Sequence, residues 1–316
     1  MIVRWSLGEL PATLAEVGIE RPFLIASPRW SELDLPPHVG RLAQVPSDRV
    51  DVPAEADGIL AVGGGSAIDT GKYASALSEK PVVHVPTTYS GAEWTTHYGI
   101  RSPGRIIVGS GGGARPVAIV YDVDLTLDLP QAVTGGTALN GLAHCAEALY
   151  VRNHNPEGDE QALAGARLIS SALPRVLAEP RNREARLELL QGAAHGGHAL
   201  GLAGLALAHA MAQALGGTYG LPHGAMNALC LPPALEFNRQ LVPDEIARFA
   251  EAVGGDAVAR SRELAVLGGF DRLRDFGVPE DELPQVAEAA SQRAGNQNNP
   301  RPASAGEILG LLRRIY

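Results

Sequence analysis

Apolar residues in the first third of the chain come in short unbroken runs, at 22–26, 58–62, 81–85 and 118–121, rich in Val, Ile and Leu and bounded by Gly, Pro or Asp. A strand covered on both faces reads this way, because neither side needs polar residues, so the runs predict buried parallel strands. Helical stretches at 10–18 and 67–78 fall between them, and this alternation is what a doubly wound α/β sheet requires. From about residue 137 the pattern changes. Apolar positions recur at helical spacing over 137–150, 159–177, 184–192, 200–215, 243–253, 257–267 and 281–292, which predicts an all-helical second half. The turn-rich linker 122–136 separates the two regimes. We therefore expect a Rossmann-like α/β domain over 1–130 and an all-α domain over 131–316, with the site in a cleft between them.

Length and charge narrow the function. At 316 residues the chain is long enough for two cored domains. The longest apolar stretches are broken by Gly, His or Pro well short of bilayer length, and glutamates interrupt the N-terminus where a signal peptide needs an apolar core. These features predict a cytoplasmic chain with no membrane partner. A formal net charge of −9 and no basic patch argue against a nucleic-acid partner. The two cysteines, Cys145 and Cys230, stand in apolar settings without metal-ribbon spacing and read as reduced, buried thiols. Residues 109–113 read as a Gly-rich loop in an exposed hairpin.

The chemistry begins at Gly63-Gly64-Gly65-Ser66-Ala67-Ile68-Asp69-Thr70, directly after the strand at 58–62 and at the start of a helix. Glycines let backbone approach a ligand, and their N–H groups at a helix N-terminus suit a diphosphate. The motif lacks both the G-x-G-x-x-G spacing and the Walker lysine, and a plain strand-to-helix turn capped by Ser66 also fits it. A second loop, Pro86-Thr87-Thr88-Tyr89-Ser90-Gly91-Ala92-Glu93, places hydroxyls at the end of the neighbouring strand. Two such loops at adjacent strand ends favour a nucleotide crevice.

Asn140 and His144 lie four apart on one helix face, His209 sits on a later helix, and His223 follows a turn. Three imidazoles and an amide oxygen can converge on zinc or ferrous iron; each histidine taken alone is more often a hydrogen-bonded core residue, and the joint pattern is what favours a site. His195 and His198 read as packing or supporting residues, and His97 as a loop histidine near the hydroxyl loop.

Taken together, the segments 63–72 and 86–93, with LNGLAHCAEALY, LAHAMAQALGG and YGLPHGAMNALCLP, resemble the iron-containing alcohol dehydrogenase superfamily, over nearly the whole chain. PTTYSGAE, the asparagine at 140, GGTYGLPH and the late Asn299-Pro300-Arg301-Pro302 are most similar to its maleylacetate reductase branch. The resemblance implies NADH or NADPH as cofactor, with Gly64, Gly65, Ser66 and Asp69 near the diphosphate and Thr87, Thr88 and Ser90 near the nicotinamide. It implies Asn140, His144, His209 and His223 as metal ligands where a metal is bound, and the three histidines as catalytic groups. Tyr219 and His198 are weaker candidates for substrate contact. A homodimer and a small-molecule substrate also follow from it.

Four features depart from that family pattern. Asn140 replaces an anionic ligand, which weakens metal binding and leaves a metal-free site open. Gln213 stands where the family has another histidine one turn after His209. The stretch 31–57 is short, and Ser27-Pro28-Arg29 carries no acid to repel a 2′-phosphate, so Arg29 is a candidate NADPH contact. Arg101, Arg105 and Arg301 are available for substrate carboxylates. The implied reaction is reduction of maleylacetate to 3-oxoadipate. A metal-dependent alcohol or aldehyde dehydrogenase, a lyase or cyclase like dehydroquinate synthase that uses NAD transiently, and a non-catalytic nucleotide-binding protein remain the alternatives.

Overall fold

The apolar runs pair as parallel strands. The computed structural model describes residues 1–101 and 107–316, with side chains described outside 101–110. Its strands are β1 (Ile2–Arg4), β2 (Pro22–Ala26), β3 (Gly40–Leu42), β4 (Gly58–Gly63), β5 (Pro81–Pro86), β6 (Tyr98–Arg101), β7 (Ile107–Gly111) and β8 (Arg115–Val120). Six of them form one parallel sheet in the order β1-β8-β5-β4-β2-β3, and β6 pairs antiparallel with β7 as the Gly-rich hairpin. The four predicted runs are the four inner strands. The edge strands β1 and β3, three residues each, escape the hydrophobic pattern because so short a run has no period.

Alternation along each inner strand fills two cores. Leu24, Leu60, Val62, Val83 and Val120 pack on one face with Leu10 and Leu14 of α1 (Leu10–Glu16). Phe23, Ile25, Ile59, Ala61 and Val82 pack on the other with Ile68 and Ala74 of α2 (Gly65–Ser78). Each buried Val, Leu or Ile contributes roughly 1.5–3 kcal/mol, so these runs rather than the edges fix the sheet.

One polar residue interrupts the core of β5. His84 is fully buried, and its Nδ1 donates to the Glu93 carbonyl at 3.3 Å. Burial, then the nearby Lys72 ammonium, pushes its pKa down from 6.5 to about 3, against the carbonyl bond that raises it. The unfolded chain therefore takes up this proton first. The contribution of His84 is present above pH 6.5 and is lost as pH falls toward 3. We expect the stability difference between the wild type and His84→Leu, read from urea midpoints, to grow by about 2 kcal/mol in favour of the wild type between about pH 4.5 and 6.5. Buried Glu93, whose pKa burial raises, contributes with opposite sign but is common to both proteins. A difference that does not change with pH refutes the assignment.

The second half is helical, as expected: α3 (Gln131–Tyr150), α4 (Pro156–Ala178), α5 (Arg183–Ala203), α6 (Leu207–Tyr219), α7 (His223–Asn238), α8 (Pro243–Val253), α9 (Ala257–Leu267), α10 (Leu283–Ser291), α11 (Ala294–Asn298) and α12 (Ala305–Arg314). Caps set the starts, with Asn155 accepting from Gly158 N at 2.9 Å and Asn182 from Ala185 N at 3.0 Å. The periodic stretch 200–215 is two helices rather than one, because Gly204 at φ 105° ends α5. The pattern also misses α7, whose interior Pro232 and Pro233 read as breakers yet lie buried inside it. Helices α3, α4 and α5 approach closely at glycines: a Cβ on Gly165 would lie 2.7 Å from Cys145 Sγ, and one on Gly196 2.7 Å from the Gly141 carbonyl. Two compact units result, Met1–Thr88 with Ala92–Leu127, and Tyr89–Gly91 with Asp128–Tyr316. No single described helix is long and apolar enough to cross a membrane.

Candidate active site

The glycine loop is built to leave space. β4 ends at Gly63 with φ 148°, where a Cβ would lie 2.7 Å from that of Ala67. Gly64 precedes α2 without any side-chain cap, so the first N–H groups of a fourteen-residue helix are not closed off. A Cβ on Gly64 would meet Thr88 Cγ2 at 2.9 Å, and the Thr88 hydroxyl beside it is buried with no partner in the described structure. An uncapped helix end next to an orphaned hydroxyl fits an anionic, polar ligand such as a dinucleotide diphosphate. Thr87 is tied in through its N–H to the Gly63 carbonyl at 3.0 Å, and Ser66 is exposed at the helix start. Asp69 is already engaged: its carboxylate accepts from Lys72 Nζ at 2.8 Å and from Gly99 N at 3.2 Å, bracing the β6 hairpin.

In the helical unit, three imidazoles come together. The rings of His144 and His209 stack with centroids 4.8 Å apart, and His209 and His223 lie 5.6 Å apart. Gly91, at φ 71°, sits against them: a Cβ there would be 2.8 Å from Gly197 Cα and 3.4 Å from His144 Nδ1. Two amides orient the rings. Asn227 Nδ2 donates to Asn140 Oδ1 at 2.6 Å and to His223 Nε2 at 3.0 Å. Asn140 Nδ2 donates to the Ser90 carbonyl at 3.0 Å and faces His144 Nε2 at 3.4 Å. Burial, and then the neighbouring His209 and His223, hold the His144 pKa well below 6.5, so the ring is neutral. With Nε2 accepting from Asn140, its single N–H is on Nδ1, which is buried and has no partner in the described structure.

Glu147, on the same helix one turn beyond His144, fixes the second ring. One carboxylate oxygen accepts from His209 Nδ1 at 2.6 Å and Ala206 N at 2.8 Å, and the other from Ala208 N at 2.6 Å and His209 N at 3.2 Å. His209 Nε2 is left buried and unpartnered. Sequence reasoning missed Glu147 and Asn227. Their signal was spacing alone, three after His144 and four after His223 on helices.

As arranged, this set does not fit a divalent metal. Asn140 Oδ1 and the Nε2 atoms of His144 and His223 already accept amide N–H groups, and the carboxylate in contact with the rings, Glu147, is committed to four donors. Among the described residues no group of three or more His, Cys, Asp or Glu is placed to hold a metal ion.

The remaining candidates are dispersed. Tyr219 donates its hydroxyl to Glu282 at 3.0 Å, and burial, then that bond, raises its pKa to about 12. His195 is paired with Gln161 Oε1 at 2.7 Å, while His198 is half-buried with its pKa lowered, chiefly by burial. His97 is exposed, and its carbonyl accepts from Lys72. Arg29 lies over the Trp30 ring at 5.3 Å. Arg301 stacks on Phe237 and pairs with Glu307, away from the imidazoles in its bonding. Arg105 and the side chain of Arg101 lie outside the described residues.

A parallel α/β unit with a glycine-rich strand-to-helix loop, joined to a helical unit that gathers three imidazoles, defines a class of dehydrogenases. The chain belongs to the iron-containing alcohol dehydrogenase family: residues 51–122 match the model for iron-containing alcohol dehydrogenase, and 134–316 that for the C-terminal part of the Fe-containing alcohol dehydrogenase family. It is 34% identical to the maleylacetate reductase of Pseudomonas knackmussii, covering 98% of this chain and 93% of that protein. Against the maleylacetate reductase of Rhizobium sp. strain MTP-10005 the identity is 37%, over 83% of this chain and 75% of the relative. The crystal structure of maleylacetate reductase from Agrobacterium tumefaciens superposes with a TM-score of 0.88 at 30% identity, covering 100% of this chain and 95% of that one.

Proposed function

We propose that this chain reduces maleylacetate to 3-oxoadipate with NADH or NADPH, as a cytoplasmic homodimer. The observation that carries the reading is the buried, unpartnered Nδ1 of His144, which bears the proton of the neutral ring when Nε2 accepts from Asn140. Reduction of an alkene conjugated with a ketone puts negative charge on the ketone oxygen, and a fixed N–H donor in a dry site stabilises such charge most.

Gly64, Gly65 and Ser66 hold the diphosphate at the open end of α2, Asp69 supports that loop through Lys72 and Gly99, and Thr87, Thr88 and Ser90 line the nicotinamide side. The bound nicotinamide supplies a hydride. His144 Nδ1–H donates to the ketone oxygen as it becomes an enolate, and Asn140 keeps the ring in the donating tautomer. His209, held through Nδ1 by Glu147, takes up a proton from solvent at Nε2 and passes it to the substrate carbon beside the ketone. Hydride and proton together account for the two hydrogens gained. His223, oriented by Asn227, completes the polar wall; His198 and Tyr219 stay as weaker substrate contacts.

The family name and the three imidazoles favour a second reading, a metal-dependent alcohol or aldehyde dehydrogenase. One assay separates them: loss of the near-ultraviolet absorbance of NADH or NADPH on mixing enzyme with maleylacetate, with and without chelator. We expect turnover that chelator leaves unchanged. Loss of rate on chelation selects the metal-dependent reading, and no oxidation with maleylacetate overturns the substrate.

A further inference from the structure

The proposed substrate has two carboxylates, and Arg301 is taken by Glu307. Another cation lies along the helix that carries His209. Gln213 is one turn beyond His209, so the two positions share a face of α6. Arg293, the residue that caps α11, reaches onto this stretch. Its Nη2 lies 3.4 Å from the Gln213 carbonyl oxygen, and a Cβ on Gly217 would be 3.3 Å from the same nitrogen. A side chain at 217 would crowd the guanidinium that glycine admits.

That guanidinium is half-buried and, among the described residues, no carboxylate pairs with it. It has five N–H donors, and a single long bond uses one. A cation withdrawn from water without an anion is costly, and an incoming carboxylate relieves that cost with a two-pronged bond. Residues 213 and 217 lie about 6 and 12 Å along the axis from 209, and a six-carbon chain spans roughly 6 Å. A dicarboxylate of that length with its reacting carbons beside His144 and His209 brings one end within reach of the arginine.

We propose that Arg293, assisted by the Gln213 amide, binds one carboxylate of the substrate and selects dicarboxylates over neutral enones and simple aldehydes. This rests on the maleylacetate reading for the identity of the substrate. The carboxylate site itself is tested without turnover.

The enzyme loaded with NAD is titrated with 3-oxoadipate by calorimetry, as wild type, Arg293→Gln and Arg293→Lys. We expect the wild type to bind, Arg293→Gln to bind about tenfold to a hundredfold more weakly, and Arg293→Lys to fall between them, because a charged donor is lost or replaced by a point charge. The affinity for NADH stays unchanged in all three, which guards against misfolding. In turnover the KM for maleylacetate rises by the same factor with kcat within about twofold, while reduction of the dimethyl ester is the same in wild type and Arg293→Gln. Equal binding of 3-oxoadipate by wild type and Arg293→Gln, or no dicarboxylate binding by the wild type, overturns the proposal. Dicarboxylate binding that depends on Arg293 in an enzyme inert toward maleylacetate keeps the site and removes the substrate assignment.

Discussion

Without added metal, Asn140→Asp lowers the rate of maleylacetate reduction about a hundredfold to a thousandfold, the loss that follows removal of one donor from an oxyanion site. The two side chains are nearly the same shape, so the fold survives and the change is one of hydrogen-bond polarity. Asn140 offers an N–H to His144 Nε2 and to the Ser90 carbonyl. An aspartate offers only acceptors: the His144 proton moves to Nε2 to meet it, and Nδ1 becomes an acceptor where the reaction needs a donor. The same substitution adds a negative charge among three imidazoles, and elemental analysis should then find zinc or iron retained by the variant and not by the wild type. A variant that keeps the wild-type rate in chelator would sink the role assigned to His144.

How much of this was readable in the sequence depends on the range of the interaction. The four inner strands were legible because Leu24, Leu60 and Val83, with their neighbours, make unbroken apolar runs, and burial on two faces leaves no other composition. The three-residue edges β1 and β3 were not, since pairing with a neighbour defines them and their own residues do not. Pro232 and Pro233 hid α7, because propensity speaks for a local cost that packing around a buried helix overrides. At the site, family likeness named Asn140 and the three histidines, and the fold gathers them. What it could not convey was direction: whether Asn140 turns its oxygen or its nitrogen to the rings depends on Asn227, eighty-seven residues away. Nor did the sequence show the ion pairs that Asp69 and Arg301 make with Lys72 and Glu307, because those partners are set by local packing. Arg293 carries no motif at all; its meaning lies in the Gly217 surface it covers.

Glu147 should prove as demanding as any histidine. It is wholly buried on α3 and gathers the first N–H groups of α6 together with the His209 ring, so one carboxylate both starts a helix and orients an imidazole. Removing it in Glu147→Ala strands four buried donors, each costing about 1–3 kcal/mol, against a total stability of about 5–15 kcal/mol for an ordinary domain. That variant is expected not to accumulate in folded form. Glu147→Gln keeps the volume but turns an N–H₂ toward donors that need an acceptor, so it folds with a lowered melting temperature. Its rate should drop on the order of a thousandfold or more, because the His209 ring loses both its fixed tautomer and the negative charge behind it. Stability and catalysis are separated by assaying well below the melting temperature and by nitrogen NMR of labelled histidine, in which the wild-type His209 shows a protonated Nδ1 and the variant a mixture. If Glu147→Gln shows the wild-type rate under those conditions, the carboxylate serves only to cap α6, and proton exchange must be moved from His209 to another group.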